Sequence, residues 1–265
     1  MKRRAFNAGL APGAALPLVA TARAQAQPRA ETGFIDHSLV QGGQTWRYQV
    51  YVPADYASRK DWPVTLFLHG SGERGTDGQR ASLVGLGAAI RWNPQRHPGL
   101  AVFPQARPDT SWSGEQAEMA LAALRQTLAD YHTDPRRVYL TGLSMGGHGS
   151  WWLAYRHPQL FAAVLPVCGW LLPMAEWPAP VVPPADGPAA AAVARRLSAL
   201  PLWIFHGEMD DAVPPEDDRA AFAALQAAGA AARYTEYLGL GHNCWDATYG
   251  SETVLRWMFA QRRPA

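Results

Sequence analysis

Val64-Thr65-Leu66-Phe67-Leu68 is a short apolar run with no charge inside it. Such a run is expected of a strand covered on both faces in a parallel sheet. Similar runs recur at 100–103, 138–141, 162–167 and 202–205, and 234–238 reads as a last strand. Nearer the N-terminus, 34–40 and 45–53 alternate apolar and polar residues around Gly42-Gly43, which predicts an antiparallel pair joined by a tight turn. Helical spacing falls between the strands. Leu121, Leu124, Leu128 and Tyr131 form one apolar face, Phe222 and Leu225 another closed by Gly229, and Val254, Trp257 and Met258 a third. This alternation predicts an α/β fold: a mostly parallel central sheet with helices on both faces and an N-terminal antiparallel hairpin. A Pro- and Ala-rich stretch at 177–188, with the alanines after it, interrupts the pattern. It predicts an insertion at about 170–198 over the C-terminal edge of the sheet, either a lid or a passive surface loop.

The chain has 265 residues, of which 48% are apolar, enough for one packed domain; 27–265 is expected to be that domain. The formal net charge is only +2 and the charges are dispersed, which argues against a nucleic-acid partner. Residues 1–26 read as an export signal. Lys2-Arg3-Arg4 precedes a mild apolar stretch, and Ala22-Arg23-Ala24 and Ala24-Gln25-Ala26 both fit the cleavage pattern. Paired arginines before Phe6 suggest a twin-arginine signal, hence a bacterial periplasmic or extracellular protein. No later segment supplies the roughly 20 apolar residues that a membrane span requires. The two cysteines, Cys168 and Cys244, are expected as unpaired buried thiols in loops after strands.

The strongest chemical signal is Gly142-Leu143-Ser144-Met145-Gly146, with the 138–141 strand before it and a helix over 151–156 after it. In that context G-x-S-x-G is a nucleophile elbow. The glycines let strand and helix approach closely, and the serine oxygen stands clear beside a helix N-terminus. A serine nucleophile needs a base, and the chain offers eight histidines. His97, His132 and His157 read as loop or surface residues, and His37 lies ahead of the sheet core. His69 and His206 each end a buried strand and read as loop braces, while His148 points away from Ser144 within its helix. His242 remains, in a glycine-rich loop directly after the last strand, with a ring suited to proton transfer near neutrality. The acid is expected in Glu208-Met209-Asp210-Asp211, after the 202–205 strand, with Asp210 favoured to hold the ring and Asp211 and Glu208 as alternatives. For the oxyanion, the Met145 amide and that of Ser71 or Gly72 are the candidate donors. The loop carrying Ser71 lacks both phosphate-binding glycine signatures, which argues against a nucleotide site.

Ser144, Asp210 and His242 in this order, preceded by His69-Gly70, resemble the α/β-hydrolase superfamily over nearly the whole mature chain. The likeness is greatest to the bacterial predicted-peptidase branch related to polyhydroxybutyrate depolymerases, feruloyl and acetyl xylan esterases, and dienelactone hydrolases. It is carried by His69 to Gly75, Phe103-Pro104-Gln105, the Ser144 elbow, Pro166 to Gly169, His206 to Asp210, and Gly241 to Asp246. The resemblance implies an eight-stranded type of sheet, catalysis without cofactor or metal, and Asp210 as the acid, the fourth residue after His206. Cys244 departs from the small Ser-like residue usual there. Ester cleavage through an acyl-enzyme is the expected reaction. A peptidase or amidase is the alternative, and a non-catalytic binding protein is disfavoured because all three triad residue types are present. Trp112, Trp170, Trp177 and Trp245 are candidate pocket walls for a sugar or aromatic acid, and Arg74 a candidate partner for a substrate carboxylate. The expected partner is a small-molecule or carbohydrate-linked ester, with the protein a monomer or weak dimer.

Overall fold

The computed structural model describes residues 31–264. The predicted export signal, 1–26, lies outside them. Eight strands form one sheet: β1 (Gly33–Gln41), β2 (Gln44–Val52), β3 (Trp62–Leu68), β4 (Leu100–Pro104), β5 (Thr133–Leu143), β6 (Ala163–Val167), β7 (Trp203–Gly207) and β8 (Arg233–Tyr237). Their order is β1-β2-β4-β3-β5-β6-β7-β8. The hairpin β1–β2 and the β2–β4 pair are antiparallel, and every other neighbouring pair is parallel. Among the described residues, seven α-helices accompany the sheet: α1 (Gly85–Trp92), α2 (Gly114–Asp130), α3 (Met145–Arg156), α4 (Ala189–Leu197), α5 (Glu216–Ala227), α6 (Trp245–Gly250) and α7 (Glu252–Ala260).

Strand side chains alternate between two cores. Val64, Leu66 and Leu68 of β3 pack on one face with Leu124 of α2, Trp151 of α3, Val193 of α4 and Leu225 of α5. Phe67 points the other way, into a cluster with Leu86 of α1, Tyr249 of α6 and Leu255 of α7. This two-sided burial is why the β3 run is apolar at nearly every position. Truncating such a ring to Ala costs roughly 3–5 kcal/mol. A tail follows α7 and is tied to the start of β5. Arg262 reaches the Asp134 carboxylate at 2.6 Å, Arg263 donates to the Pro135 carbonyl at 3.0 Å, and the Tyr139 hydroxyl donates to the Gln261 carbonyl at 2.9 Å.

The structure departs from the sequence expectations in four places. The 170–198 stretch is not one irregular insertion, because its end forms α4 on the way from β6 to β7. Alanine is the strongest helix former, but a run of alanines carries no large apolar residue to mark a face. Two short helices, α1 and α6, were not anticipated. Strand β5 begins at Thr133, ahead of the apolar 138–141 run, with an irregularity in its pairing to β3. Finally, His97 is buried, not a surface residue, with its ring edge-on to Phe259 at 5.0 Å. Among the described residues, no helix is long and apolar enough to cross a membrane.

Candidate active site

The turn from β5 into α3 has room for nothing larger than glycine at its flanks. A Cβ on Gly142 would overlap the Gly146 carbonyl, and one on Gly146 would overlap the Leu68 carbonyl of β3. Ser144 sits between them at φ 53°, ψ −119°, a left-handed backbone that costs a non-glycine residue of order 1–3 kcal/mol. Surrounding contacts hold that strain. The Ser144 amide donates to the Val167 carbonyl at 3.0 Å and lies 3.3 Å from the Cys168 sulfur. The result is a half-buried hydroxyl at the start of α3, whose first-turn amides lack intrahelical acceptors. The helix begins at Met145, six residues before the predicted 151–156 stretch; the poor helix propensity of Gly146, Gly147 and Gly149 hides its first turns in the sequence.

Ser144 Oγ lies 2.9 Å from His242 Nε2, and His242 Nδ1 lies 2.7 Å from Asp210 Oδ2. The loop after β8 brings His242 over the serine, and its base is fixed by Glu208, which accepts from the Gly239 amide at 2.8 Å. Asp210 follows β7 with its carboxylate fully buried. Burial alone would raise its pKa, but hydrogen bonds from His206, His242 and the Val213 amide hold it well below the usual carboxylate range. Oδ1 accepts from the Ala212 and Val213 amides at 3.1 and 2.8 Å, so neither oxygen lacks a donor. Asp211 is exposed and takes no part in this line. Both ring nitrogens of His69 are occupied elsewhere, and His148 is turned away from Ser144, its Nε2 buried without a partner. His69 accepts from the Ala106 amide at 3.0 Å, while His148 stacks on Trp170 with its Nδ1 3.1 Å from the Trp170 carbonyl.

A cavity of about 480 Å³ opens over Ser144 and His242, walled by Ser71, Met145, Trp170, Met174, Trp177 and Val213 among others. Gly72 is exposed on the adjoining turn and does not line it, so of the two loop candidates Ser71 shares the cavity with Ser144. The stretch between β6 and α4 supplies Trp170, Met174 and Trp177. Trp112 does not line the cavity. It is fully buried, and its indole N–H donates to the His69 carbonyl at 2.9 Å, so its size serves packing beneath the loop. Trp245 stands edge-on to His242 at 5.4 Å, outside the cavity wall. Arg74 is spent on protein groups. It donates to the Ser71 carbonyl at 2.9 Å and the Thr110 carbonyl at 3.4 Å and lies over the Trp177 ring at 5.2 Å. It therefore braces the Ser71 turn against the cavity wall, leaving the carboxylate-binding role unsupported. Cys168 and Cys244 are both buried and unpaired. A second cleft, about 360 Å³ and apolar, lies between α1 and α6, and none of its lining residues belongs to the Ser144–His242–Asp210 line.

The structure extends this line to His206, which the sequence marks only as a loop brace, and to Asp218, which the sequence does not mark. His206 Nδ1 is 2.8 Å from Asp218 Oδ2, and Nε2 is 2.8 Å from the Val213 carbonyl and 3.2 Å from Asp210 Oδ2. The available signal was the spacing of a strand-end histidine from two later aspartates, one four and one twelve residues on.

A mostly parallel eight-stranded sheet with an antiparallel edge and a strand–serine–helix elbow is the α/β-hydrolase fold. Residues 41–258 match the model of the Esterase family, described as "Putative esterase", and the chain belongs to that family. The chain is similar to a thermostable esterase of known structure, with 30% identity and a TM-score of 0.73 over 87% of this chain and 63% of that one. It thus spans less than two thirds of that protein. A ferulic acid esterase superposes with a TM-score of 0.68 over 85% of this chain and 97% of that one, and at 16% identity the likeness speaks for the fold. In sequence, dipeptidyl-peptidase 5 of Porphyromonas gingivalis is 27% identical over 140 residues, 47% of this chain but only 19% of that protein.

Proposed function

We propose that this protein is an exported serine esterase in which Ser144 attacks the ester carbonyl, His242 carries the proton and Asp210 orients and charges the imidazole. The observation that carries this reading is the hydrogen-bonded line from Ser144 Oγ through His242 to Asp210, at 2.9 and 2.7 Å, on a backbone-strained elbow. As Ser144 Oγ bonds to the carbonyl carbon, its proton passes to His242 Nε2 and the carbonyl oxygen becomes an oxyanion. The Met145 and Ser71 amides are the proposed donors to it. A donor of this kind is worth about 100- to 1000-fold in kcat. Collapse expels the alcohol with the proton from His242, leaving an acyl group on Ser144. Water, deprotonated by the same nitrogen, then releases the acid. Asp210 stays ionised throughout, which suits its lowered pKa.

The reading extends to one catalytic domain at 27–265 behind a cleaved export signal at 1–26. A small aromatic or sugar-linked ester fits a cavity walled by Trp170 and Trp177. The test is labelling by a fluorophosphonate together with hydrolysis of short p-nitrophenyl esters. Both are expected for the wild type and neither for Ser144→Ala. Labelling of Ser144→Ala at the wild-type rate would place the nucleophile elsewhere. The match to a dipeptidyl peptidase favours amide cleavage as a second reading. Peptide anilides separate the two, and turnover of esters without anilides is expected.

A further inference from the structure

The triad proposed above ends at Asp210, yet the buried polar line does not. Beyond Asp210 stands the ring of His206 at the end of β7, then the carboxylate of Asp218 in α5, then the indole N–H of Trp151 in α3, which donates to Asp218 Oδ1 at 2.8 Å. The side chains of His206, Asp210 and Asp218 are all fully buried. Both ring nitrogens of His206 face acceptors only: Nε2 the Val213 carbonyl and Asp210, Nδ1 the Asp218 carboxylate. A neutral imidazole satisfies one such contact and turns a lone pair toward the other, whereas an imidazolium donates at both. Two carboxylates around one ring supply the countercharge that lets a buried cation persist.

We propose that His206 is a positioning residue for the reaction, held as an imidazolium between Asp218 and Asp210, and that it both fixes the Asp210 carboxylate and weakens its field at His242. The inference rests on the triad assignment made above. Its chemistry is a matter of sign. A carboxylate beside an imidazole favours the protonated ring, and a base held as imidazolium cannot take the serine proton. A positive charge on the far side of Asp210 offsets that pull while leaving the orienting hydrogen bond intact. Burial works against the charge on His206, but the hydrogen bonds to Asp210 and Asp218 overcome it and raise the ring to about 10. Other groups facing this cluster are accounted for. Asp217 of α5 and Glu236 of β8 add negative potential, Glu236 being itself bound by Arg219 at 2.8 Å. Tyr234 of β8 is held neutral, its hydroxyl bonded to Glu236, and burial and the neighbouring Cys244 keep the Cys168 thiol protonated.

The experiment compares the pH dependence of kcat/KM on p-nitrophenyl acetate for the full-length wild type, Asp218→Asn and His206→Gln. Asp218→Asn is the cleaner variant. Its amide still accepts from Trp151, but turns an N–H toward His206 and leaves that ring neutral with Nε2 still donating. The acid limb is expected to move to higher pH by up to about one unit, because the nearer positive charge of the ring is lost together with the more distant negative charge of Asp218. His206→Gln is expected to show the same shift with a further kcat loss of about 10- to 100-fold as the carboxylate loses its seat. Unchanged acid limbs in both folded variants, with only lower Tm, would reduce His206 to a structural brace. NMR of the imidazole nitrogens in the wild type keeps the question open to refutation if the variants fail to fold. Two N–H signals from His206 at about pH 8 are expected, and a single protonated nitrogen overturns the proposal. A wild type that ignores the ester and the fluorophosphonate refutes the triad itself. A labelled, active wild type with the wrong His206 protonation refutes only this extension.

Discussion

The two sides of the cavity are built in opposite ways. On one side stands the elbow, where β3, β5 and α3 approach so closely that glycine is enforced by backbone carbonyls, and where Ser144, His242, Asp210 and His206 form a chain of short hydrogen bonds into the core. On the other side, the wall carrying Trp170, Met174 and Trp177 is a Pro-rich path held by a few points. The Asp217 carboxylate accepts from the Leu171 and Leu172 amides at 2.9 and 2.8 Å, Arg156 donates to the Val181 carbonyl at 2.8 Å, and Arg74 lies over Trp177. The first side has little freedom to vary, because each residue is fixed by several others. In the second, Trp170 is buried against His148, whereas Met174 and Trp177 are only partly buried and are the side chains that can be exchanged at least cost to the fold. Under the proposed function, chemistry and selectivity fall to separate parts of the chain, and each can be perturbed alone.

The largest effect should come from Ser144→Ala, with kcat falling about 10⁴- to 10⁶-fold while the fold, read by circular dichroism, stays intact. Activity within tenfold of wild type would show that the elbow does not supply the nucleophile. Next, Asp210→Asn should lower kcat by roughly 10⁴-fold through a misoriented ring, whereas exposed Asp211→Asn should change it less than about twofold; equal losses would move the acid away from Asp210. On the opposite wall, Trp177→Ala should raise KM for a bulky aromatic ester about tenfold, with kcat nearly unchanged. A drop in kcat of the same size for acetate and aromatic esters would contradict the division of labour. The smallest effect is on stability. Because His206 is raised to about 10, its stabilising contribution is whole below the ordinary histidine value of about 6.5 and is lost as pH climbs through about 10. Asp210 acts oppositely: its contribution is present above about 3.9 and disappears as acid carries it through its lowered folded value. Tm should therefore decline between about pH 6.5 and 10 in the wild type, and Asp218→Asn should flatten that decline.

The same contrast governs what was legible in the residues. Buried strands declare themselves by continuous apolar runs, and the elbow by its glycines, because backbone crowding leaves no other residue possible at Gly142 and Gly146. Ser144, Asp210 and His242 could be picked out because each follows a strand in the order such a site requires. What escaped notice lacked a periodic mark. Helix α4 is written in alanine, and the start of α3 is hidden by the glycines that the elbow needs. Helices α1 and α6 are too short to show a repeated face. Trp112 and Trp170 are the same residue type ahead of unrelated roles, and only the path of the chain decides that one packs under His69 while the other faces the cavity. His206 was read as a brace because its two carboxylate partners reach it from a turn and a helix, a meeting no local pattern records.

The bonds tying the tail beyond α7 to the start of β5 have a consequence in time. Ser144 and His242 lie 98 positions apart, and the strand that presents the serine is fastened at its base by Arg262 and Arg263. During synthesis the nucleophile emerges long before its base, and the base before the residues that secure β5. A nascent chain therefore holds an elbow with no proton acceptor, and contacts of such long sequence separation form late. In the proposed reading, ester cleavage therefore waits until the loop carrying His242 has been made and has closed over the elbow.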